Sequence, residues 1–300
     1  EKNQLTANKA AQGISAWSKT MNLLFTAVVR DMERQMDQIL PPNYLLDNSC
    51  SEKDVEAFIA VHAQEDDNYL ENDFSEFDSS QGSTSLFFEC HMLTRYGLPE
   101  DLVKLYQNQR KAWTLNARGT AQAYGDWKKH SGEPFTYFFN TIYNMVTLHR
   151  LYSFQGLSFA LFKGDDSLIA ARHIEPGKKF EKWVSDHGLK LKAITTLAPS
   201  FTSRIVSAGK RIVPNLVRLA GKSLSKDYQT PEQVEAMGLA CRDSLGPLTP
   251  SRLAGMLHLN ATYWGMTEGQ VEILASYLQN FQQYVTFKKL FEVESFVVNK

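Results

Sequence analysis

Hydrophobic side chains recur at helical spacing through the first fifth of the chain. Their positions are Leu23, Leu24, Ala27, Val28, Met32, Met36 and Leu40. Pro41-Pro42 ends this run, because proline cannot continue a helix. Residues 54–63 predict a second, short helix. A third apolar face ends at Gly97 and Pro99. Its members are Leu86, Phe87, Cys90, Leu93 and Tyr96.

The middle of the chain changes to a strand pattern. Residues 69–74 predict a strand that runs into a tight polar segment, and 114–130 suggest a turn or an irregular sheet. Two apolar runs, 157–162 and 168–171, flank Lys163-Gly164-Asp165-Asp166-Ser167. A glycine among polar residues between two such runs predicts a β-hairpin. A second hairpin is expected over 204–213.

Helices return over 135–150 and in the last seventy residues. Two of the C-terminal helices open with a threonine followed three residues later by glutamine, at Thr230 and at Thr267, which predicts capping boxes. Helices, then strands mixed with helices, then a helical end indicate an α+β fold.

Composition narrows the class of protein. A hydrophobic content of 43% is sufficient for a folded core. A net charge of −1 excludes a uniformly basic nucleic-acid-binding protein, and three scattered cysteines form neither a disulfide framework nor a zinc motif. No stretch of about 18 apolar residues predicts direct membrane insertion. The start at Glu1 suggests a segment of a larger protein.

Charge is nevertheless segregated along the chain. Residues 65–78 hold seven acids and no Lys or Arg, whereas 187–226 hold eight bases and no Asp or Glu. Each block alone is most often a solvated face. Together they also suit a site that holds divalent cations beside a polyanion.

Paired carboxylates are the first candidate chemistry. Asp73 ends the predicted strand and Asp78 follows five residues later. Both carboxylates can point into one site if the strand turns into a helix after Asp73. Asp165 and Asp166 lie at the predicted hairpin tip. Adjacent carboxylates repel each other unless a cation or proton lies between them, and Mg²⁺ prefers such oxygen ligands. For each pair, the alternative to a metal site is an ordinary charged, solvent-exposed loop.

The third constellation combines a flexible Ser131-Gly132 loop with a polar stripe on an aromatic helix. The backbone amides of such a loop can approach a phosphate. The stripe consists of Thr136, Asn140, Asn144 and Thr147, which share one helix face. Because the remaining faces are strongly apolar, the stripe is expected to line a polar cleft rather than to face solvent.

These three segments, in this order, resemble motifs A, B and C of viral RNA-dependent RNA polymerases. Their sequences are similar to those of the alphavirus-like superfamily, closest to the hepatitis E virus and benyvirus group. The three matching stretches are Glu-Asn-Asp-Phe-Ser-Glu-Phe-Asp-Ser-Ser-Gln, Lys-Lys-His-Ser-Gly-Glu-Pro and Phe-Lys-Gly-Asp-Asp-Ser. The resemblance implies a right-hand polymerase palm, an antiparallel sheet with packed helices, joined to partial fingers and a helical thumb.

The resemblance also implies roles for single residues. Asp73, Asp165 and Asp166 would be metal ligands for Mg²⁺, with Mn²⁺ as a substitute. Asp78 with Asn140, and with Thr136, would recognise the ribose 2′-hydroxyl. Ser131 and Gly132 would begin a mobile loop under the templating base.

The resemblance implies roles for several basic residues as well. Lys9 would be a remnant of motif F that neutralises the triphosphate. Either Lys190 or Lys192 would protonate the pyrophosphate leaving group, and Lys192 is preferred. Residues 201–206 resemble the primer grip of motif E. The implied RNA-contacting residues are Lys210, Arg211, Arg218 and Lys222.

The implied domains are residual fingers over 1–68, a palm over 69–200 with a possible fingers insertion at 100–130, a motif E hairpin over 201–226 and a thumb over 227–300. The expected partners are an RNA template and product, NTPs and other viral replication proteins. The expected location is the host cytoplasm, within a membrane-associated replication complex, where a positive-strand RNA genome is copied.

Two other functions stay open at this stage. A non-catalytic, polymerase-like RNA-binding module would need no metal, although all three carboxylates are present. A reverse transcriptase shares the palm and its chemistry. Gly164 in place of an aromatic-x pair, together with Asp78 and Asn140, argues against the second possibility.

Overall fold

A computed structural model describes residues 15–48, 50–117, 121–207, 211–246 and 248–282 of the chain. The chain divides into two compact units, with the boundary between Leu197 and Ala198. The predicted palm boundary lay at 200/201. Unit 1 is mixed α and β, and unit 2 combines a small sheet with helices. The α+β class expected from the sequence is confirmed.

Unit 1 is built around one sheet. Its helices are α1 (Lys19–Ile39), α2 (Glu52–His62), α3 (Phe77–Ser80), α4 (Ser83–Tyr96), α5 (Glu100–Lys111), α6 (Thr136–Leu151) and α7 (Phe180–Asp186). Its strands are β1 (Tyr44–Leu46), β2 (Asn68–Phe74), β3 (Trp113–Ala117), β4 (Ala121–Gly125), β5 (Tyr152–Lys163), β6 (Asp166–Pro176) and β7 (Leu191–Thr196).

The five-stranded sheet has the order β1-β5-β6-β2-β7. Four of its strands pair antiparallel, but β1 pairs parallel with β5 at one edge. The expected antiparallel sheet is thus confirmed for these four strands, and β1 adds a parallel strand at its edge. Strand β1 follows the Pro41-Pro42 break directly, and its three residues are too few for an alternating pattern to predict. The separate β3–β4 pair is the irregular sheet predicted over 114–130.

The helix predicted at the start is present, and its buried face agrees with the prediction in part. Met32 and Met36 are buried as predicted, but Leu23 is 79% exposed, and Phe25 and Val29 are buried in its place. A helix face shifted by one or two positions fits the same periodicity, so the pattern alone does not determine which of the two faces is buried. The same error affects α4, where Phe87 is 54% exposed and Glu89 is fully buried.

The central hairpin is longer than its apolar runs suggested, and β5 and β6 meet at a two-residue turn, Gly164-Asp165. Gly164 has φ of +60°, as required at the first central position of a tight hairpin turn. The predicted strand at 69–74 and the predicted helix at 135–150 are β2 and α6, so both predictions are confirmed.

Unit 2 has a three-stranded sheet followed by four helices. Its elements are β8 (Ser200–Phe201), β9 (Arg204–Ser207), β10 (Arg211–Pro214), α8 (Leu216–Leu224), α9 (Pro231–Leu245), α10 (Pro250–Trp264) and α11 (Glu268–Gln282). The predicted second hairpin is the β9–β10 pair. A separate apolar core, with Leu216, Met256 and Leu278 among its members, holds these elements together.

The two predicted capping boxes have different outcomes. At α11, Gln270 N–H donates to the Thr267 hydroxyl at 3.3 Å and Gln270 Oε1 accepts from Thr267 N–H at 3.0 Å, so the box is present. At α9, the Thr230 side chain makes no capping bond, and Gln233 accepts from the Gln229 N–H instead. The capping box predicted at Thr230 was therefore wrong. Pro231 occupies the first helical turn as expected.

In the described part of the chain, no helix is long and apolar enough to cross a membrane. The predicted basic block is divided between the units, because Lys190 and Lys192 lie in unit 1 and Arg204 through Lys226 lie in unit 2. Within unit 1, Lys190 pairs with Glu76 and Lys192 with Asp73. These two bases of the block are therefore each paired with an acid.

Candidate functional site

Three acidic residues lie at one edge of the large sheet, which we name the carboxylate edge: Asp73, Asp165 and Asp166. Strands β2 and β6 are paired up to Asn72 and Ser167, so Asp73 and Asp166 each lie one residue beyond that pair. Asp165 belongs to the turn that joins β5 to β6. All three side chains are partly exposed. The sheet register thus brings the predicted metal ligands to a common edge.

Side chains of helix α6 hold the Gly164-Asp165 turn in place through hydrogen bonds to its backbone. The Asn144 amide donates to three consecutive carbonyl oxygens, those of Gly164, Asp165 and Asp166, at 3.2, 3.0 and 3.3 Å. Thr141 Oγ1 accepts from the Gly164 N–H at 2.9 Å. Asn144 and Thr141 are fully buried, so water cannot replace these bonds easily. The turn backbone is held while its carboxylates stay accessible.

A second anchor acts on the strand before the turn. Asp47, which follows β1, is 1% exposed and accepts from Lys163 Nζ at 2.8 Å. Its N–H donates to the Phe162 carbonyl, and its carbonyl accepts from the Tyr137 hydroxyl at 2.8 Å. The parallel edge strand therefore connects the end of β5 to α6.

The chain turns sharply after Asp73, as the paired-carboxylate hypothesis required. Strand β2 ends at Phe74, Glu76 adopts φ of +54°, and α3 begins at Phe77. The rings of Phe74 and Phe77 stack at 4.4 Å, which holds the two ends of the turn together. This strand-to-helix turn brings Asp78 to α6.

Asp78 forms one end of a hydrogen-bonded chain of three side chains. Asn140 Nδ2 donates to Asp78 Oδ1 at 2.6 Å, and Gln81 Nε2 donates to Asn140 Oδ1 at 2.8 Å. The predicted contact between Asp78 and Asn140 is thus present. Thr136 lies on the same stripe but its hydroxyl donates to the His130 carbonyl at 2.6 Å. The four stripe residues are buried, so the stripe is not a solvent face.

The Ser131-Gly132 loop lies against the N-terminal segment. Gly132 N–H donates to the Ser15 carbonyl at 2.9 Å, and Ser131 Oγ accepts from the Ser15 N–H at 3.3 Å. A Cβ added to Gly132 would come within 2.9 Å of the Ser15 oxygen, which explains the glycine. The Gly132 amide, which the sequence offered as a phosphate donor, is occupied by this carbonyl here.

Behind that loop lies a set of buried polar side chains that we name the buried charge cluster. Its members are Glu89, Tyr106, Arg110, Lys129 and Glu133. Glu89 pairs with Arg110 and accepts from Lys129 Nζ at 2.7 Å and from the Tyr106 hydroxyl at 2.6 Å. Tyr106 also contacts Glu133 Oε1 at 3.1 Å, and Glu133 accepts from the His130 N–H. Lys129 and Glu133 flank the Ser131-Gly132 loop, so the cluster fixes both of its ends.

The two acids of the cluster differ in proton affinity. Burial alone would raise the pKa of Glu89, but the charges of Lys129 and Arg110 outweigh burial and lower it. Burial raises the pKa of Glu133 to about 7, because the same cations act on it more weakly. Arg110 Nε lies 3.8 Å from Glu133, which is consistent with that weaker pairing.

The two candidate proton-donating lysines have different neighbours. Lys192 on β7 lies opposite Asp73 in the strand register, and its Nζ is 3.4 Å from Asp73 Oδ2. Lys190 instead pairs with Glu76. Lys192 is therefore the lysine beside the carboxylate edge, and its preference over Lys190 as the proton donor stays a prediction.

The predicted RNA-contacting residues lie in unit 2. Arg218 and Lys222 are exposed and one helical turn apart on α8. Lys9 and Lys210 fall outside the described residues, as does the side chain of Arg211 on β10. The structure describes residues 201–206, the predicted primer grip, as a β8–β9 hairpin with left-handed Thr202 and Ser203 at its turn.

The donor set at the carboxylate edge fits a hard divalent cation. Among the described residues, no three His, Cys, Asp or Glu side chains are grouped as a complete metal site. Mg²⁺ does not require one, because it commonly binds one or two carboxylates and takes its other oxygen ligands from water and substrate phosphates. Accessible carboxylates on a fixed turn meet that requirement.

Sequence reasoning missed the buried charge cluster and the anchors Asp47, Thr141 and Gln81. One signal was available: Glu89 stands between Leu86 and Leu93 at helical spacing, on an otherwise apolar face. A charge in that position must find a buried partner. The partners come from α5 and the loop before α6, and no local pattern indicates that these segments meet.

Comparisons with known proteins agree with this geometry. A family model described as "RNA dependent RNA polymerase" matches residues 1–286. The chain is 35% identical over 268 residues to the non-structural polyprotein pORF1 of avian hepatitis E virus, covering 89% of the chain and 17% of that protein. It is 36% identical over 272 residues to the pORF1 of a swine hepatitis E virus genotype 3, covering 90% and 16%.

The chain thus spans about a sixth of the length of these curated relatives. Among solved structures, the RNA-dependent RNA polymerase of a human picorbirnavirus matches with a TM-score of 0.57 and 16% identity, over 80% of this chain and 50% of that one. At this identity the likeness supports the fold alone.

Proposed function

The chain belongs to the RNA-dependent RNA polymerase family, and on that premise we propose that it catalyses template-directed transfer of nucleotides from NTPs to the 3′ end of an RNA strand. The single observation that supports this reaction is the anchored turn. The Asn144 bonds hold the Gly164–Asp166 backbone beside the end of β2, where Asp73 lies.

In the proposed reaction the 3′-hydroxyl oxygen forms a bond to the α-phosphorus of the NTP, and the bond from that phosphorus to the pyrophosphate oxygen breaks. Asp73, Asp165 and Asp166 would hold the divalent cations. Two cations, Mg²⁺ or Mn²⁺ in its place, supply activation of the hydroxyl and neutralisation of the triphosphate charge when bound. Such transfer depends on positioning and charge neutralisation more than on covalent help from the protein.

The chain's own residues supply the remaining steps. Lys192 would donate a proton to the departing pyrophosphate, which its contact with Asp73 supports. Asp78 and Asn140 would accept and donate hydrogen bonds to the ribose 2′-hydroxyl and so favour NTPs over dNTPs. Thr136 would support the loop through the His130 carbonyl. Ser131 and Gly132 would support the templating base.

The biological setting that we propose follows the relatives. The chain would copy a positive-strand RNA virus genome together with other viral replication proteins, in a membrane-associated complex in the host cytoplasm. Lys9, Lys210, Arg211, Arg218 and Lys222 would contact the triphosphate or the RNA backbone, because Lys and Arg side chains neutralise phosphates.

The test is extension of a primed RNA template by the full-length protein that contains this chain, with labelled NTP and Mg²⁺ or Mn²⁺. Asp165→Ala is expected to lower incorporation by about 10³-fold or more, as for other groups that act as part of a catalytic set. The control is Asp186→Ala, which removes an exposed carboxylate paired with Lys182 on α7.

Activity in the wild type and in the control, with loss in Asp165→Ala, would support the proposal. Equal activity in all three proteins would contradict the role of Asp165. A folded wild-type protein that binds RNA but incorporates nothing would favour the non-catalytic RNA-binding module instead. Equal use of dNTPs and NTPs would contradict the role given to Asp78 and Asn140.

A further inference from the structure

The chain of hydrogen bonds from Gln81 through Asn140 to Asp78 has a direction that the Asp78 carboxylate fixes at one end. An ionised carboxylate such as that of Asp78 can only accept hydrogen bonds. Asn140 must therefore turn its NH₂ group to Asp78 Oδ1, at 2.6 Å, and its oxygen away. That oxygen faces Gln81 and needs a donor, which Gln81 Nε2 supplies at 2.8 Å.

Gln81 is well placed to hold this direction. Its side chain is 1% exposed, so no bulk water competes for the Asn140 oxygen. Its backbone N–H donates to the Asp78 carbonyl at 3.3 Å at the end of α3, which ties the glutamine to the same short helix as the carboxylate. Gln81 is thus tied to Asp78 through its backbone and to Asn140 through its side chain, while its own Oε1 is buried without a hydrogen-bond partner.

We propose that Gln81 is a positioning residue that selects the sugar of the incoming nucleotide through Asn140. With Gln81 in place, the Asn140 NH₂ group stays toward Asp78 and the pair presents one fixed pattern to a 2′-hydroxyl. This inference rests on the proposed function of Asp78 and Asn140 as the ribose-sensing pair. It adds a residue that never contacts the nucleotide.

The decisive variant is Gln81→Glu, which keeps the side-chain size and replaces the donor with an acceptor. The introduced carboxylate would face the Asn140 oxygen, acceptor against acceptor, so the Asn140 NH₂ group would be drawn toward two carboxylates and its orientation toward Asp78 would no longer be fixed. A milder variant, Gln81→Met, removes the donor without placing an acceptor against the Asn140 oxygen. It keeps the proposal testable if Gln81→Glu does not fold. The matched control is Gln38→Glu, the same change on the exposed end of α1.

The measurement is kcat/KM for NTP and for the matching dNTP, with the full-length protein on a primed RNA template. We expect the NTP-over-dNTP ratio to fall by about tenfold or more in Gln81→Glu, the factor for losing one hydrogen bond to a charged group. The loss should appear as a higher KM for NTP with an unchanged KM for dNTP. Gln81→Met should show a smaller fall, and Gln38→Glu none.

A purely structural role would lower kcat for both nucleotides equally and leave the ratio unchanged, and that result would overturn the inference. An unchanged ratio in both Gln81 variants, beside an active and selective wild type, would overturn it while leaving the proposed function intact. A wild type that incorporates neither nucleotide would overturn the proposed function and the inference together.

Discussion

Charged side chains have different surroundings at the carboxylate edge and in the buried charge cluster. At the carboxylate edge, Asp73 and Lys192 meet at 3.4 Å with about half of each side chain exposed. In the buried charge cluster, Glu89, Arg110 and Lys129 have no exposed side-chain surface. Exposed pairs contribute little to stability and exchange partners readily, whereas a buried charge that loses its partner is costly. We infer that the first region is built to change ligands and the second to stay fixed.

The largest expected effect comes from breaking the buried charge cluster. Arg110→Met leaves Glu89 and Glu133 with one cation between them, so the free energy of unfolding should fall by about 3–5 kcal/mol. The urea unfolding curve of the protein measures this change in the free energy of unfolding. Lys182→Met, which removes an exposed ion pair on α7, should change stability too little to measure. Equal losses in both variants would remove the distinction between the two regions.

The second effect concerns the exposed region and appears in rate rather than in stability. Lys192→Met should lower kcat for NTP incorporation by about 10²-fold or more, the contribution expected of a general acid. Lys190→Met is the matched control, because Lys190 lies two residues before Lys192 on the chain and pairs with Glu76 instead of Asp73. Both variants should unfold at the same urea concentration as the wild type. A larger loss of kcat in Lys190→Met than in Lys192→Met would identify Lys190, instead of Lys192, as the proton donor.

The third effect tests the anchor that holds the carboxylate edge to α6. Asn144→Asp keeps the side-chain shape but removes the donor to three carbonyls, so unfolding free energy should fall by about 1–3 kcal/mol, with slower incorporation. Asn68→Asp is the control, since Asn68 makes one exposed bond to the Arg172 carbonyl. If the two substitutions are equally mild, the turn does not depend on α6.

The smallest effect is a change in pH dependence. The raised pKa of Glu133, about 7, means that the folded protein holds this proton more tightly than the unfolded chain does. Its contribution to stability is complete below the ordinary pKa of glutamate and is lost as pH rises through about 7. Glu133→Gln should therefore flatten the fall in unfolding free energy between about pH 5 and pH 8. Glu100→Gln, at an exposed pair with Lys104, should leave the slope unchanged.

What the sequence could predict was local. The β-hairpin at Gly164, the strand before Asp73 and the helix after Phe135 each follow from spacing within about a dozen residues. The contact between Asp78 and Asn140 was available only because the motif order resembled a known family. Predictions of which helix face is buried failed at Leu23 and Phe87, since several faces satisfied the same periodicity.

Contacts between distant segments could not be predicted. Ser15 lies against Gly132, Asp47 binds Lys163 and Glu89 binds Lys129, and each contact joins residues at least 40 positions apart. Buried polar residues reveal that partners must exist, but which segment supplies them depends on the packing of whole elements.

The most direct test of the account is NTP incorporation by Asp73→Ala, measured on a primed RNA template beside its urea unfolding curve. We predict a loss of about 10³-fold or more with an unfolding midpoint equal to that of the wild type, because Asp73 acts on ligands rather than on the fold. Incorporation within tenfold of the wild type would contradict the assignment of the carboxylate edge as the reacting site.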